Sequence, residues 1–216
     1  MLTKQRQMDK QEEIKNLIIS TAKGIVAKEG IAGLSIRKIT NVIGYSPAIV
    51  YHYFRDKDEI IEHLLKDDYA KIISSLSVIK DTEQDPLLRL KNSAYNFINT
   101  ALQMPDEYMN IMLSSSPNVL PFTSVLFEGA SQKRQALGML CGILKEAYSS
   151  FKHDDETIEL AAQAVWAATF GLIIRLIIEK NIPEQQRNKL IANQIQITLN
   201  GVDITLKSHN KEGDIS

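Results

Sequence analysis

The chain holds one cysteine, Cys141, in 216 residues. A lone thiol excludes a disulfide framework and a cysteine metal cluster, and it suits a reducing compartment. The first residues carry no apolar run of the kind a secretory signal needs, so the expected location is cytoplasmic. The histidines at 52, 63, 153 and 209 fall in different segments, and no pair has helical ligand spacing with a carboxylate. No metal site is expected. Asp67-Asp68 and Asp154-Asp155 are adjacent pairs that diverge on a helix, which suits caps or solvent better than acid–base work. A P-loop, a dinucleotide fingerprint and a nucleophile elbow are all missing, so no cofactor is expected and nothing asks for an enzyme. There is no internal repeat, no low-complexity stretch and no alternation long enough to demand a sheet.

Charge is also scarce in the aggregate. The net value is −1, with an apolar fraction of 44% and a charged fraction of 24%, ordinary for a globular chain. The distribution is uneven. Residues 1–60 hold 10 Lys+Arg against 7 Asp+Glu, and the rest holds 15 against 19. The basic excess therefore sits in the N-terminal part, as an electrostatic footprint for nucleic acid should.

What that part contains is a segment from Leu34 to Phe54, LSIRKITNVIGYSPAIVYHYF. Leu34, Ile36, Ile39 and Ile43 recur at helical spacing. Ser35 is a good N-cap, and Gly44 stands where a left-handed residue ends a helix at least cost. Ser46-Pro47 restarts the chain, serine as cap and proline at the first helical position. The second helix runs from Pro47 to Phe54, with Val50 and Phe54 inward. Two helices joined at a tight glycine have helix-turn-helix geometry, whose second helix enters the major groove. That helix exposes Tyr51, His52 and Tyr53, with Arg55 and Lys57 beyond. Hydroxyl, imidazole and cation can each reach phosphates or base edges; the plainer reading is a decorated solvent face.

The remaining chain reads as helix throughout. Residues 1–8, with Lys4 and Arg6, are expected to be an arm. Asp9 to Glu29 is amphipathic through Ile14, Ile18, Ala22 and Ile25, and ends at Gly30. Asp56, with Glu59 three residues on, opens a helix to about Lys80. Further helices are expected from Asp85-Pro86 to Leu102, Asp106 to Leu113, Ser124 to Phe151, Glu156 to Lys180 and Glu184 to Leu206. Ser114 to Pro121 is a loop, and the tail from Lys207 frays. The expected domains are 1–56 for the helix-turn-helix, 57–80 for a connecting helix, 81–208 for a second domain and 209–216 for the tail. The fold class is all-α, with about nine helices. The run Leu160–Ile178 approaches membrane-spanning length, but Gln163 and Arg175 interrupt it, and Ala164, Ala167, Ala168 and Gly171 suit close helix packing instead.

Gly30 to Ile61 resembles the DNA-binding domain of the TetR family of transcriptional regulators. Gly33, Ser35-Ile36, Ile39, Gly44, Ser46, Tyr51, Tyr53-Phe54 and Lys57-Asp58 carry the likeness. Thr40, Val42, Tyr45 and Ile49 depart from the usual pattern. The resemblance implies a DNA-binding set of Ser35, Arg37, Ser46, Pro47, Ala48, Ile49, Tyr51, His52, Tyr53 and Lys57. Within it Arg37 and the exposed part of the second helix meet bases, and Tyr51 and Lys57 meet phosphate. The partner is then a near-palindromic duplex. The resemblance also implies a homodimer through the last two helices, for which Ala164, Ala168, Gly171, Arg175, Ile191, Ile195 and Leu199 are the candidates. Trp166 and Phe170-Gly171 are similar to a W-x-x-x-H-G signature of one subgroup of C-terminal domains, with phenylalanine in place of histidine. Finally, it implies a small-molecule effector in the second domain. Soft and aromatic bulk there makes Tyr95, Phe97, Met109, Met112, Phe122, Phe127, Trp166 and Phe170 candidate lining, with Asn96, Asn99 and Tyr108 as polar anchors. Plain core packing is the competing account of each. The function implied is a repressor released by a largely apolar effector. A helical adaptor that kept the fold and lost operator binding is the rival.

Overall fold

A computed structural model describes residues 2–77, 85–115, 117, 119–151 and 153–212. Among these are eleven α-helices and no strand. The two helices beyond the expected nine are single turns, Leu120–Thr123 and Ala130–Lys133. The helices group into two compact units, Met1–Tyr69 with Asn110–Pro121, and Ala70–Met109 with Phe122–Ser216.

In the first unit α1 runs over Leu2–Glu29 and packs on α2, Ile36–Ile43, which packs on α3, Pro47–Tyr53. The reason is a shared apolar stripe. Ile18, Ala22, Leu34, Ile39, Val50 and Phe54 are buried, and Ile60 from α4, Lys57–Ser77, joins them. Phe54 meets the His63 ring edge-on at 5.4 Å. The expected arm at residues 2–8 is instead the first turns of α1; the Lys4 side chain lies outside the described residues. The expected end of α4 near Lys80 falls in 78–84, also outside them.

The second unit is built on α10, Asp155–Ile178, which packs against α5, Pro86–Gln103, α9, Gln135–Ala147, and α11, Glu184–Glu212. Leu90, Leu137, Leu144, Ile158, Val165, Val202 and Leu206 form its core, with Cys141 buried among them. Burial, with the Glu159 charge nearby, pushes the Cys141 thiol up to about 11. By length and composition α10 could cross a membrane. Here six of its apolar residues, Ile158, Ala161, Ala162, Val165, Ile173 and Leu176, are buried in protein.

Caps follow the residues that supply them. The Asp85 carboxylate accepts the Leu87 N–H at 2.9 Å, and Asp154 accepts the Thr157 N–H at 2.7 Å. Several boundaries moved. The Ser114–Pro121 loop is shortened by the turn α7 at Leu120–Thr123, while Ser116 and Asn118 lie outside the described residues. The short helix α6 is Pro105–Met112. The tail from Lys207 does not fray at once, because α11 continues to Glu212.

The largest correction is the expected helix from Ser124 to Phe151. It is a loop, the turn α8 at Ala130–Lys133, and then α9. Side chains elsewhere take its backbone groups. Gln163 donates to the carbonyls of Val125 and Phe127, and Arg134 to that of Ser124. Gly129 adopts a left-handed φ of 74°, and the buried Glu159 accepts the N–H groups of Gly129 and Ser131 at 2.7 Å each. Hydrogen bonds from Ser131 and this backbone hold the Glu159 carboxyl below its ordinary range.

A depressed carboxylate stabilises the fold fully above its unfolded pKa, and that share is lost as pH falls through the folded value. Glu159→Gln should lower the unfolding free energy at neutral pH by about 1–3 kcal/mol, since a charged acceptor is lost. The deficit should shrink on acidification. Denaturant melts of both proteins across a pH series check this.

Candidate nucleic-acid interface

The first unit presents a helix-turn-helix built as its residues require. Ser35 is extended, and its hydroxyl accepts the Lys38 N–H at 3.2 Å to open α2. Gly44 closes it at φ 73°, donating its N–H to the Thr40 carbonyl at 3.0 Å. A side chain there would be strained, which is why glycine makes this turn. Pro47 begins α3, but the Ser46 hydroxyl caps nothing; its side chain is left exposed. The Ser46 carbonyl takes the Ile49 N–H instead.

Six candidate DNA-binding residues, Arg37, Ser46, Pro47, Ala48, Tyr51 and His52, are exposed. Ser35, Ile49, Tyr53 and Lys57 are half-buried, with the rings of His52 and Tyr53 edge-to-face at 5.1 Å. Arg37 and Lys57 make no ion pair among the described residues. Two other cations are committed. Lys38 pairs with Glu29 and donates to the Gly33 carbonyl, and Arg55 pairs with Asp56 at 3.0 Å. Asp56 also accepts the Glu59 N–H at 2.8 Å, which with Arg55 holds its carboxyl below the usual value. Tyr45, exposed between the Gly44 turn and Ser46, belongs on the same surface. Its place between a helix stop and a helix start was the available signal.

Two overlapping cavities lie in the second unit, beside a third that shares Gly138 and Gly142 with the wider one. The tighter, about 50 Å³, is walled by Phe97, Trp166, Leu140, Val165 and neighbours. The wider, about 400 Å³, shares Leu76, Ser93, Met139 and Ile143 with it and adds Arg89, Gly138, Gly142 and Glu146. Of the candidate effector residues, Phe97 and Trp166 come together at 5.2 Å between rings. Tyr95, Asn96, Asn99, Met109, Phe122, Phe127 and Phe170 do not line these cavities, and Met112 belongs to the first unit. Tyr108 is fully buried with its hydroxyl unpartnered, and burial raises its phenol pKa. Sequence reasoning missed the α9 wall. Its signal was Gly138 and Gly142 one turn apart within the apolar stretch 136–144. Among the described residues no three His, Cys, Asp or Glu side chains could hold a metal ion.

On the last two helices, Ala164, Ala168, Gly171 and Arg175 are exposed, with Leu160 and Ile178. Ile191 and Ile195 are not available as an interface: they are 1% and 5% exposed, turned into their own chain. Leu199 is half-buried against the same core. The outward stripe of α11 is Leu190, Ile197 and Ile204, with the last two 57% and 69% exposed. A helix that must cover α10 spends one face on it, and Ile191 and Ile195 lie on a buried face.

Residues 18–64 match the profile of bacterial regulatory proteins of the tetR family. An HTH-type transcriptional regulator of Mycobacterium tuberculosis is 29% identical over 76 residues, 35% of this chain and 32% of that protein. A Mycobacterium bovis regulator matches equally. The chain thus spans about a third of the length of the curated relatives it matches. Among solved structures, the fatty acid degradation regulator of Bacillus halodurans shares the fold at TM-score 0.61 and 15% identity, covering 87% of this chain and 95% of that one. A TetR/AcrR-family regulator of Thermobifida fusca does so at 0.57 and 16%, covering 88% and 98%. Residues 18–64 are thus similar to the helix-turn-helix domain of that family, and the chain shares the all-α fold of these solved structures.

Because only one of the two serines caps, they should separate in a melt. Ser35→Ala is expected to cost about 0.5–2 kcal/mol of stability, and Ser46→Ala to stay within about 0.5 kcal/mol of the parent. Thermal unfolding of the two variants decides it.

Proposed function

We propose that the chain is a sequence-specific DNA-binding transcriptional regulator, a homodimeric cytoplasmic repressor released from its operator by a small, largely apolar effector. The observation that carries the reading is the exposed surface of α3 beside two cations with no ion pair, Arg37 and Lys57. An ion pair would have to be broken before either could reach DNA; none has to be. Exposed Ser46, Pro47, Ala48, Tyr51 and His52 offer hydroxyl, imidazole and apolar contacts for the major groove. Lys57 opens α4, where free N–H groups add to phosphate binding.

One helix-turn-helix reads few base pairs, so two copies on half-sites about 34–36 Å apart are the expected arrangement. Leu190, Ile197 and Ile204 recur at the seven-residue interval of a helix–helix seam, beside the small residues Ala164, Ala168 and Gly171. An exposed stripe of this kind is stable in water when a twin covers it. Ile197→Glu together with Ala168→Arg should yield a folded monomer with weak operator binding. Sedimentation of an intact dimer would place the seam elsewhere.

The effector acts through linkage. It lowers operator affinity only as far as it prefers one state over the other, and operator lowers effector affinity by the same factor. The helical adaptor is the alternative, and a mobility shift on a palindromic duplex separates the two. In such an assay Lys57→Ala should weaken operator and random DNA alike and reduce the salt slope by about one. Arg37→Ala should relax preference at one base position, by about 1–3 kcal/mol for a bidentate contact. Equal losses on both duplexes for Arg37→Ala would remove it from base reading.

A further inference from the structure

We infer that the ligand of the α5–α9–α10 cavities is an uncharged amphiphile, an apolar body ending in one hydrogen-bond acceptor, with Arg89 binding the acceptor and Glu146 turning anions away; this rests on the effector-responsive reading above. The apolar body has a defined place. Leu76, Met139 and Ile143 wall both cavities, and Phe97 and Trp166 close the far end. A volume of about 400 Å³ is that of a small-molecule site.

The polar end is set by one side chain. Arg89 is 12% exposed and lines the wider cavity. One terminal nitrogen pairs with Glu146 from α9, which leaves the rest of the guanidinium edge that lines the cavity without a charge partner among the described residues. Guanidinium donates and never accepts, so a ligand atom that meets Arg89 in the cavity must be an acceptor. Charge then decides the kind of acceptor. Glu146 already neutralises Arg89. A third cavity, sharing Gly138 and Gly142, places Glu128, Asp155, Glu156 and Glu159 nearby against Lys145. A carboxylate head therefore meets an already neutralised cation beside Glu146 and gains no net attraction, whereas an ester or ketone oxygen keeps its hydrogen bond.

Trp166 is the one tryptophan in the chain, so its emission reports on the cavity directly. The full chain is titrated with methyl decanoate and with decanoate. A saturable Trp166 response to the ester is expected, at least tenfold tighter than to the acid. Arg89→Met should weaken the ester at least fivefold. Glu146→Gln, a conservative change at a half-exposed position, should close or reverse the preference by admitting the carboxylate. Equal affinity for acid and ester in the parent, an unchanged preference in Glu146→Gln, or an unaffected ester in Arg89→Met would each overturn the inference. So would the absence of any saturable response. Mobility shifts on the same preparations keep the two readings apart. If operator binding stays intact while an arm fails, this inference alone falls. A bound ester that leaves operator affinity unchanged removes the effector reading instead.

Discussion

An apolar helix in water has to be covered, and α10 is apolar nearly all round. The second unit follows from how that is done. The faces bearing Ile158, Ala162, Val165 and Ile173 are covered by α5, α9 and α11 of the same chain. Cover is imperfect near Trp166, where the ring sides of Phe97 and Trp166 leave room, and Gly142 of α9 leaves more in the adjoining cavity. The uncovered side, from Leu160 through Ala164, Ala168 and Gly171 to Ile178, stays exposed. One helix thus supplies the core, a cavity wall and the apolar face proposed for a twin.

Where residues act through local rules, the chain was legible. Ser35, Gly44, Asp85 and Asp154 each act through a cap or a turn that needs only its neighbours in sequence. The buried stripe of the first unit was equally plain, since Ile39, Val50 and Phe54 lie within one short supersecondary motif. What was illegible depends on partners far away in sequence. The break before α9 comes from Gln163 and Glu159, more than twenty-five residues later, bonding to its backbone. Helical periodicity sees apolar spacing and cannot see a distant carboxylate taking an N–H. The same limit applied to α11. A stripe containing Ile191, Ile195 and Leu199 can face its own core or a partner, and spacing does not say which.

The helix-turn-helix surface divides its cations by availability. Lys38 and Arg55, both basic and both in the motif, are tied to Glu29 and Asp56. Exposed ion pairs of this kind contribute little stability, and they lower the local positive field. Arg37 and Lys57 make no ion pair among the described residues. A count of basic residues therefore overstates the footprint, and the modest N-terminal excess is concentrated in fewer side chains than the sequence suggests.

The burial of Cys141 has a practical corollary. With the thiol pushed up to about 11, only roughly one molecule in ten thousand carries the thiolate at neutral pH. Buried and held as the thiol, the native sulfur is a poor nucleophile at neutral pH. A cysteine introduced on an exposed position of α3 or α11 would react roughly a few hundred times faster by thiolate fraction alone. Site-specific fluorophores or spin labels can then be attached to the unaltered background, and distances between labelled copies measured in solution.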